Sequence, residues 1–142
     1  MPDLISWLRS TIEGDLAAAK AADKASPGPW VNTGQYGCGD AWQIYGAPTE
    51  ESGDEWNDEA QDVVPAPSKV AAAAYEDGGG VWEREAADHM VLQQPRDTIA
   101  RCEVELAIIA ECLTVPGRGT LAERVIEGLA RGYRHRDGYP GD

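Results

Sequence analysis

The sequence predicts an α+β fold with an N-terminal helix, a small antiparallel sheet of about three strands, and two to three C-terminal helices packed on one face of the sheet. Three observations predict it. An apolar stripe of helical period runs through residues 3–23, short strand-like runs follow a proline-rich segment, and further apolar stripes lie beyond residue 94. We expect a single domain over residues 1–142, with a mobile acidic insert at about residues 48–62.

The first helix is indicated by apolar residues four positions apart, and Asp3 is its expected N-cap. The stripe consists of Leu4, Leu8, Ile12 and Leu16. The segment "SPGPW", residues 26–30, ends the helix, because a residue that precedes proline is disfavoured in the helical region. We expect Trp30 to be the first inward residue of the sheet and to pack beneath the long helix near Leu106 or Ile109.

Three short runs then have strand character: "PWVNTGQY", "AWQIYG" and "SKVAAAAYE". In the second run Trp42, Ile44 and Gly46 alternate with Gln43 and Tyr45, so one face of this strand is expected to be apolar. The third run is rich in alanine, a poor strand former. Its prediction as a strand depends on the proline-rich and glycine-rich segments that flank it.

The C-terminal half predicts helices. "VWEREAADHMVLQQ" indicates a short helix, and the long helix begins at Pro95, whose missing N–H costs nothing at the first helical position. A last helix is expected after Thr120, which forms a capping box with Glu123. The apolar seam of the long helix has a 3,4 spacing and consists of Ile99, Cys102, Leu106, Ile109 and Leu113. The expected apolar face of the last helix consists of Leu121, Val125 and Leu129.

The composition excludes several classes of protein. A net charge of -13 and a pI near 4.4 argue against direct binding of nucleic acid or of an anionic membrane. No apolar run approaches the ~20 residues that cross a bilayer, and the N-terminus lacks the pattern of a secretion signal. Three cysteines without a CxxC pair are typical of free thiols in a reducing compartment. We therefore expect a cytoplasmic protein.

The acidic insert is the most distinctive segment. Its residues 50–62 include no basic residue, and Trp56 lies in the middle. Such a run is typical of a solvated hairpin or a mobile loop. It also has the composition of a protein-binding surface, with carboxylates that mimic a nucleic-acid backbone and an aromatic anchor at the centre. The candidate partner-binding residues are Glu51, Asp54, Glu55, Trp56 and Asp58.

A basic cluster lies near the C-terminus of this otherwise acidic sequence. Arg131, Arg134 and Arg136 are candidate anion-binding residues, because guanidinium groups bind phosphate and carboxylate in a bidentate manner. The same cluster is suited to a head-to-tail contact with a neighbouring subunit, or it faces solvent.

No constellation of catalytic residues stands out. His89 and His135 are not part of an HExxH-type pair, so no metal ligands are predicted. Cys38 lies between glycines and lacks a nearby base that would lower its pKa. The "DGGG" segment at 77–80 lacks the context of a phosphate loop and is predicted to be a turn. We therefore expect no catalytic residue, no metal and no cofactor.

Three blocks carry a resemblance to known proteins. "ASPGPW" at 25–30, "AADHM" at 86–90 and "QPRDTI" at 94–99 follow in the order A-T-P-G-P-W, A-D-A-x-x-I-A and D-P-x-x-V-L-x-x-I. This order resembles a diffuse group of small actinobacterial and bacteriophage proteins that are largely domains of unknown function. Gln94 departs from the aspartate of that pattern, and the acidic insert is longer. The resemblance implies the fold and a phage-like origin, but no catalytic residue.

The observations favour a small non-enzymatic accessory protein of phage or prophage type that binds a protein partner and is able to self-associate. An acidic inhibitor of a host protein is the sharper form of this prediction. Two alternatives remain: a binding module for a small anionic, nucleotide-like ligand held by the arginines, and a minor structural protein of a virion.

Overall fold

The computed structural model describes residues 2–35, 42–71, 80, 83–115 and 119–140. The fold is α+β, as predicted, with a small antiparallel sheet in the order β1-β2-β5 and a two-stranded sheet of β3 and β4. The chain divides into two compact units, Met1–Ala18 with Thr98–Asp142, and Ala19–Asp97. The elements are α1 (Pro2–Ala25), β1 (Val31–Gln35), β2 (Trp42–Pro48), β3 (Asp54–Asn57), β4 (Asp62–Pro65), β5 (Pro67–Ala71), α2 (Arg84–Leu92), α3 (Pro95–Thr114) and α4 (Leu121–Gly132).

The first unit is held together by apolar faces of α1, α3 and α4. Leu8 and Ile12 of α1 have no exposed surface, which confirms the predicted stripe of this helix. Cys102 and Ile109 of α3 belong to the same buried cluster. Burial of an aliphatic side chain of this size contributes about 1.5–3 kcal/mol, so these contacts stabilise the unit more than any of its exposed ion pairs.

The end of the α3 seam and the face of α4 differ from prediction. Leu113 is 49% exposed and Leu121 is 77% exposed, whereas Ile126 and Ala130 are buried. Successive helical residues are about 100° apart, so the buried face of α4 is turned by about one position from the predicted one. Small Ala130 leaves room for the helices to approach, and Leu129 at the rim still packs against the cluster.

Of the two predicted helix caps, the cap of α4 is confirmed and the cap of α1 is wrong. Thr120 caps α4, since its side chain accepts from the backbone N–H of Glu123 at 3.4 Å, as predicted. The Glu123 carboxylate accepts from the N–H of Gly119, one residue before the expected partner. Asp3 is not the N-cap of α1, because the helix begins at Pro2 and places this carboxylate in its first turn, where it favours the helix dipole.

In the second unit, β2 lies at the centre of the larger sheet. Ile44 of β2 and Ala87 of α2 are both fully buried, and α2 contacts β1 and β2. Asp88 of α2 accepts a hydrogen bond of 2.9 Å from the side-chain amide of Asn32 on β1. One face of the sheet is therefore covered by α2.

A tight corner joins the end of α1 to this sheet. The Pro27 carbonyl accepts from the Ala47 N–H at 2.7 Å, and the hydroxyls of Ser26 and Ser68 lie 2.6 Å apart. A Cβ on Gly46 would lie 2.5 Å from that carbonyl oxygen, so only glycine permits the corner to approach β2 this closely. The peptide bond between Gly28 and Pro29 is cis.

Trp30 completes the corner. Its indole N–H donates to the Ser26 carbonyl at 2.7 Å, and its backbone N–H donates to Oε1 of Gln94 at 2.9 Å. Trp30 is half-buried, and it belongs to the second unit, whereas Leu106 and Ile109 belong to the first. Its expected position beneath the long helix stays a prediction.

The acidic insert contains the β3–β4 hairpin. Four cross-strand pairs define its register, from Asp54 opposite Pro65 to Asn57 opposite Asp62. A Gln61 residue with φ of 51° helps to form the turn. Of the alternatives for this segment, the hairpin is the one that the structure has.

Candidate functional site

The hairpin presents an exposed apolar pair. Trp56 and Val63 lie directly opposite each other on β3 and β4, so their side chains share one face. Their side chains are 59% and 56% exposed. An exposed tryptophan beside an exposed valine is the arrangement of a contact surface rather than of a core.

The predicted partner-binding carboxylates lie in and beside the same hairpin. Glu51, Asp54, Glu55 and Asp58 are all exposed. Within the described residues, none of them forms an ion pair with a basic side chain. Asp58 accepts a hydrogen bond of 2.9 Å from the Trp56 indole N–H, which fixes the ring next to a carboxylate. The structure thus brings together all five predicted residues in and beside one hairpin.

A cleft of about 1340 Å³ opens beside the base of the hairpin, on the sheet face of β1, β2 and β5. Val31, Tyr45 and Lys69 form a row across the three strands, since Tyr45 is opposite Val31 on one side and Lys69 on the other. The hairpin side of the cleft is lined by Glu51, Asp54 and Glu55. Three carboxylates thus share the cleft with one ammonium group.

Gln43 is the least expected residue of this cleft. The alternation in "AWQIYG" assigned it to the polar face of β2, yet its side chain is only 3% exposed. Its Oε1 accepts a hydrogen bond of 2.7 Å from the Tyr45 hydroxyl, while its buried Nε2 has no hydrogen-bond partner within the described part of the chain. Sequence reasoning did not identify the cleft, because its lining residues come from strands that are separated along the chain.

The basic cluster lies in the first unit. Arg136 makes two hydrogen bonds of 2.8 and 2.7 Å to the carboxylate of Asp15, and an Arg134 N–H donates to the carbonyl of Arg131 at 3.5 Å. All three arginines are exposed. A single guanidinium nitrogen of Arg136, Nη2, thus contacts both oxygens of the Asp15 carboxylate.

A smaller cleft of about 390 Å³ adjoins this cluster. There the Tyr133 hydroxyl donates to the carboxylate of Glu105, which also pairs with Arg101 at 3.9 Å. Burial, with the Glu105 hydrogen bond as a second cause, raises the pKa of Tyr133 well above its ordinary value. Burial also raises the pKa of the Cys102 thiol, which therefore stays protonated and unreactive at neutral pH.

The two histidines belong to different units of the chain. His89 and His135 are both exposed, one on α2 and one after α4. Among the described residues, no group of three or more His, Cys, Asp and Glu side chains is placed to hold a metal ion. Cys38 and the "DGG" part of the 77–80 segment lie outside the described residues.

None of the helices in the described ranges is both long enough and apolar enough to span a bilayer.

No curated protein and no solved structure matches the chain. One protein family does, and its match extends over residues 1–141. The chain therefore belongs to the family of unknown function DUF6221.

Proposed function

We propose that this protein is a small, non-enzymatic accessory protein that acts by binding another protein through the β3–β4 hairpin. The observation that carries the proposal is the Trp56–Val63 pair, an apolar patch more than half exposed on a segment that also carries exposed carboxylates. Apolar surface of this kind costs free energy in water, and burial against a partner removes the cost.

The charge of the hairpin defines the kind of partner. Its carboxylates have no basic partners within the described residues, so a basic surface gains their full attraction without breaking existing ion pairs. Trp56 at the centre supplies the anchor, since tryptophan is enriched among residues that dominate binding energy.

An inhibitor of a host nucleic-acid-binding protein is the sharper form of the proposal. A hairpin edged with carboxylates offers a basic groove the charge pattern of a phosphate backbone. A phage or prophage origin is part of this proposal, and the resemblance of the blocks at 25–30, 86–90 and 94–99 supports it.

The test is a pull-down from the native host coupled to mass spectrometry, repeated with the variant E51Q/D54N/E55Q/D58N. We expect the parent to retain a basic protein and the variant to lose it, while circular dichroism and the melting temperature stay unchanged. The isosteric amides remove charge without removing volume.

A matched control separates local charge from net charge. The variant E83Q/E103Q/E111Q/E127Q changes four exposed carboxylates outside the hairpin, so both variants have a net charge of -13 + 4 = -9. The control is expected to bind as the parent does. Equal retention of the partner by the hairpin variant and the parent would show that the proposal is wrong.

A further inference from the structure

We propose that the cleft on the face of β1, β2 and β5 binds an extended, basic peptide segment of the partner, with Gln43 pairing to its backbone and the hairpin carboxylates pairing to its cationic side chains. This inference rests on the proposed function and extends it from the hairpin surface to the adjoining cleft.

The first argument is the unpaired amide. Gln43 is only 3% exposed, and its Nε2 has no hydrogen-bond partner among the residues that the structure describes. An unmade hydrogen bond of a buried polar group costs free energy, and an acceptor delivered by a ligand recovers it. Gln43 is among the residues that line the cleft, so its amide is placed to form a hydrogen bond with a ligand there.

The second argument concerns the ligand's backbone. Exchanging the oxygen and nitrogen of the Gln43 amide would leave an acceptor unpaired instead of a donor. A peptide group presents both a carbonyl and an N–H, so it satisfies Gln43 in either orientation. A polyamine carries N–H donors but no carbonyl, so it cannot pair with the Nε2 N–H of Gln43.

The third argument is charge. Glu51, Asp54 and Glu55 line the cleft on its hairpin side, and Lys69 is the one basic residue among the described residues that line it. Three carboxylates against one ammonium favour a cationic occupant. Arginine fits best, because its guanidinium makes bidentate contacts with carboxylates.

The fourth argument is shape. The cleft runs across the row of Val31, Tyr45 and Lys69, and Val31 is 49% exposed. The volume of about 1340 Å³ exceeds that of a single side chain and accommodates several residues in extended form. The methylene groups of the arginine side chains can pack against Val31 and the ring of Tyr45.

The test uses nitrogen-15-labelled full-length protein and a synthetic peptide, acetyl-Arg-Gly-Arg-Gly-Arg-Gly-amide. We expect saturable shifts of the Gln43 side-chain amide signals and of the Tyr45 and Lys69 backbone signals. The matched peptide with glutamate in place of arginine is expected to cause no shifts. Spermine, which has the charge but no peptide group, is expected to shift the Glu51, Asp54 and Glu55 signals and to leave the Gln43 amide unchanged.

A variant adds a second measurement. Q43M retains the length of the side chain but has no amide, and loss of one hydrogen bond is expected to weaken the arginine peptide by roughly threefold to tenfold. The shifts in the parent protein do not depend on this variant, so a Q43M protein that fails to fold leaves the test intact.

The outcomes separate this inference from the proposed function. Shifts confined to the hairpin, shifts of the Gln43 amide by spermine equal to those by the peptide, or no shifts at all would each overturn the inference. The proposed function falls only if the hairpin variant E51Q/D54N/E55Q/D58N still retains the protein partner.

Discussion

Two tryptophans of the second unit occupy opposite kinds of environment. Trp30 lies in the corner that follows α1, where its indole N–H and its backbone N–H donate to a carbonyl and to Gln94. Trp56 lies on β3 with 59% of its surface exposed, and its indole N–H donates to an exposed carboxylate. Both N–H groups of Trp30 therefore form hydrogen bonds within the fold, whereas more than half of the Trp56 side chain is exposed to solvent.

The two environments indicate two different roles: Trp30 contributes to stability, and Trp56 is placed for recognition. The corner is held partly by groups distant in sequence, namely Gln94 and Ser68, so substitutions in it affect folding. The hairpin depends mostly on its own local bonds, such as the 2.7 Å bond from the Ala60 N–H to the Asn57 side chain, so its surface tolerates substitution. We therefore expect corner variants to lose stability and hairpin variants to lose binding.

The largest effect is expected for G46V. A Cβ at Gly46 would lie 2.5 Å from the Pro27 carbonyl oxygen and 2.8 and 2.9 Å from the Ser68 and Ser26 hydroxyls. The corner would have to separate from β2, at a cost of about 3 kcal/mol in the free energy of unfolding. Urea denaturation measures this loss.

The control is G14A in α1, where a Cβ would meet nothing within 4 Å. This variant is expected to stabilise the protein by about 0.5–1 kcal/mol, because alanine is the better helix former. Unchanged stability of G46V would mean that the corner does not contact β2 as described.

The next effect is expected for W30F. Phenylalanine cannot donate to the Ser26 carbonyl and buries less surface, so we expect a loss of about 2 kcal/mol. W56F makes the same chemical change at an exposed position and is expected to change stability by less than about 0.5 kcal/mol. Equal losses in the two variants, measured by urea denaturation, would contradict the distinction between the tryptophans.

A smaller effect is expected for Q94M. The half-buried N–H of Trp30 would lose its acceptor, which costs about 1 kcal/mol. Q94E keeps an acceptor oxygen and is expected to recover part of this loss in thermal denaturation. A Q94M protein as stable as the parent would show that this N–H finds another acceptor.

The smallest effect on stability is expected for W56A, below about 0.5 kcal/mol, because the side chain is mostly in water. Its effect on binding is expected to be large, about 2 kcal/mol or more, as for an anchor residue. Calorimetric titration with the captured partner measures it. Undiminished affinity would leave the hairpin without its proposed anchor.

Local patterns in the sequence predicted the helices well. The four-residue spacing in α1 identified Leu8 and Ile12 as core, and Thr120 was identified as a cap by its relation to Glu123. These features depend on residues within one turn of each other. The face of α4 was misjudged by one position, because the choice between adjacent stripes is made by the helices it packs against.

Long-range contacts could not be predicted. Gln94 stands where the resembling pattern has aspartate, and its side chain accepts a hydrogen bond from the backbone N–H of Trp30, 64 residues away. The strands of the hairpin are rich in Asp, a residue that is depleted in strands, so composition favoured a loop as much as a hairpin. The cleft around Gln43 depends on three strands whose order the sequence does not reveal.

The hairpin leaves the larger sheet after Pro48 and returns at Pro67, and these two residues are opposite each other in the β2–β5 ladder. Both ends of residues 49–66 are therefore anchored at a single point of the scaffold. A change in the length or charge of residues 49–66 therefore leaves the β2–β5 ladder as it is. We call this segment the tip of the scaffold. Divergence of specificity is thus expected to concentrate there, and transplanting the tip between relatives is expected to transplant the preference.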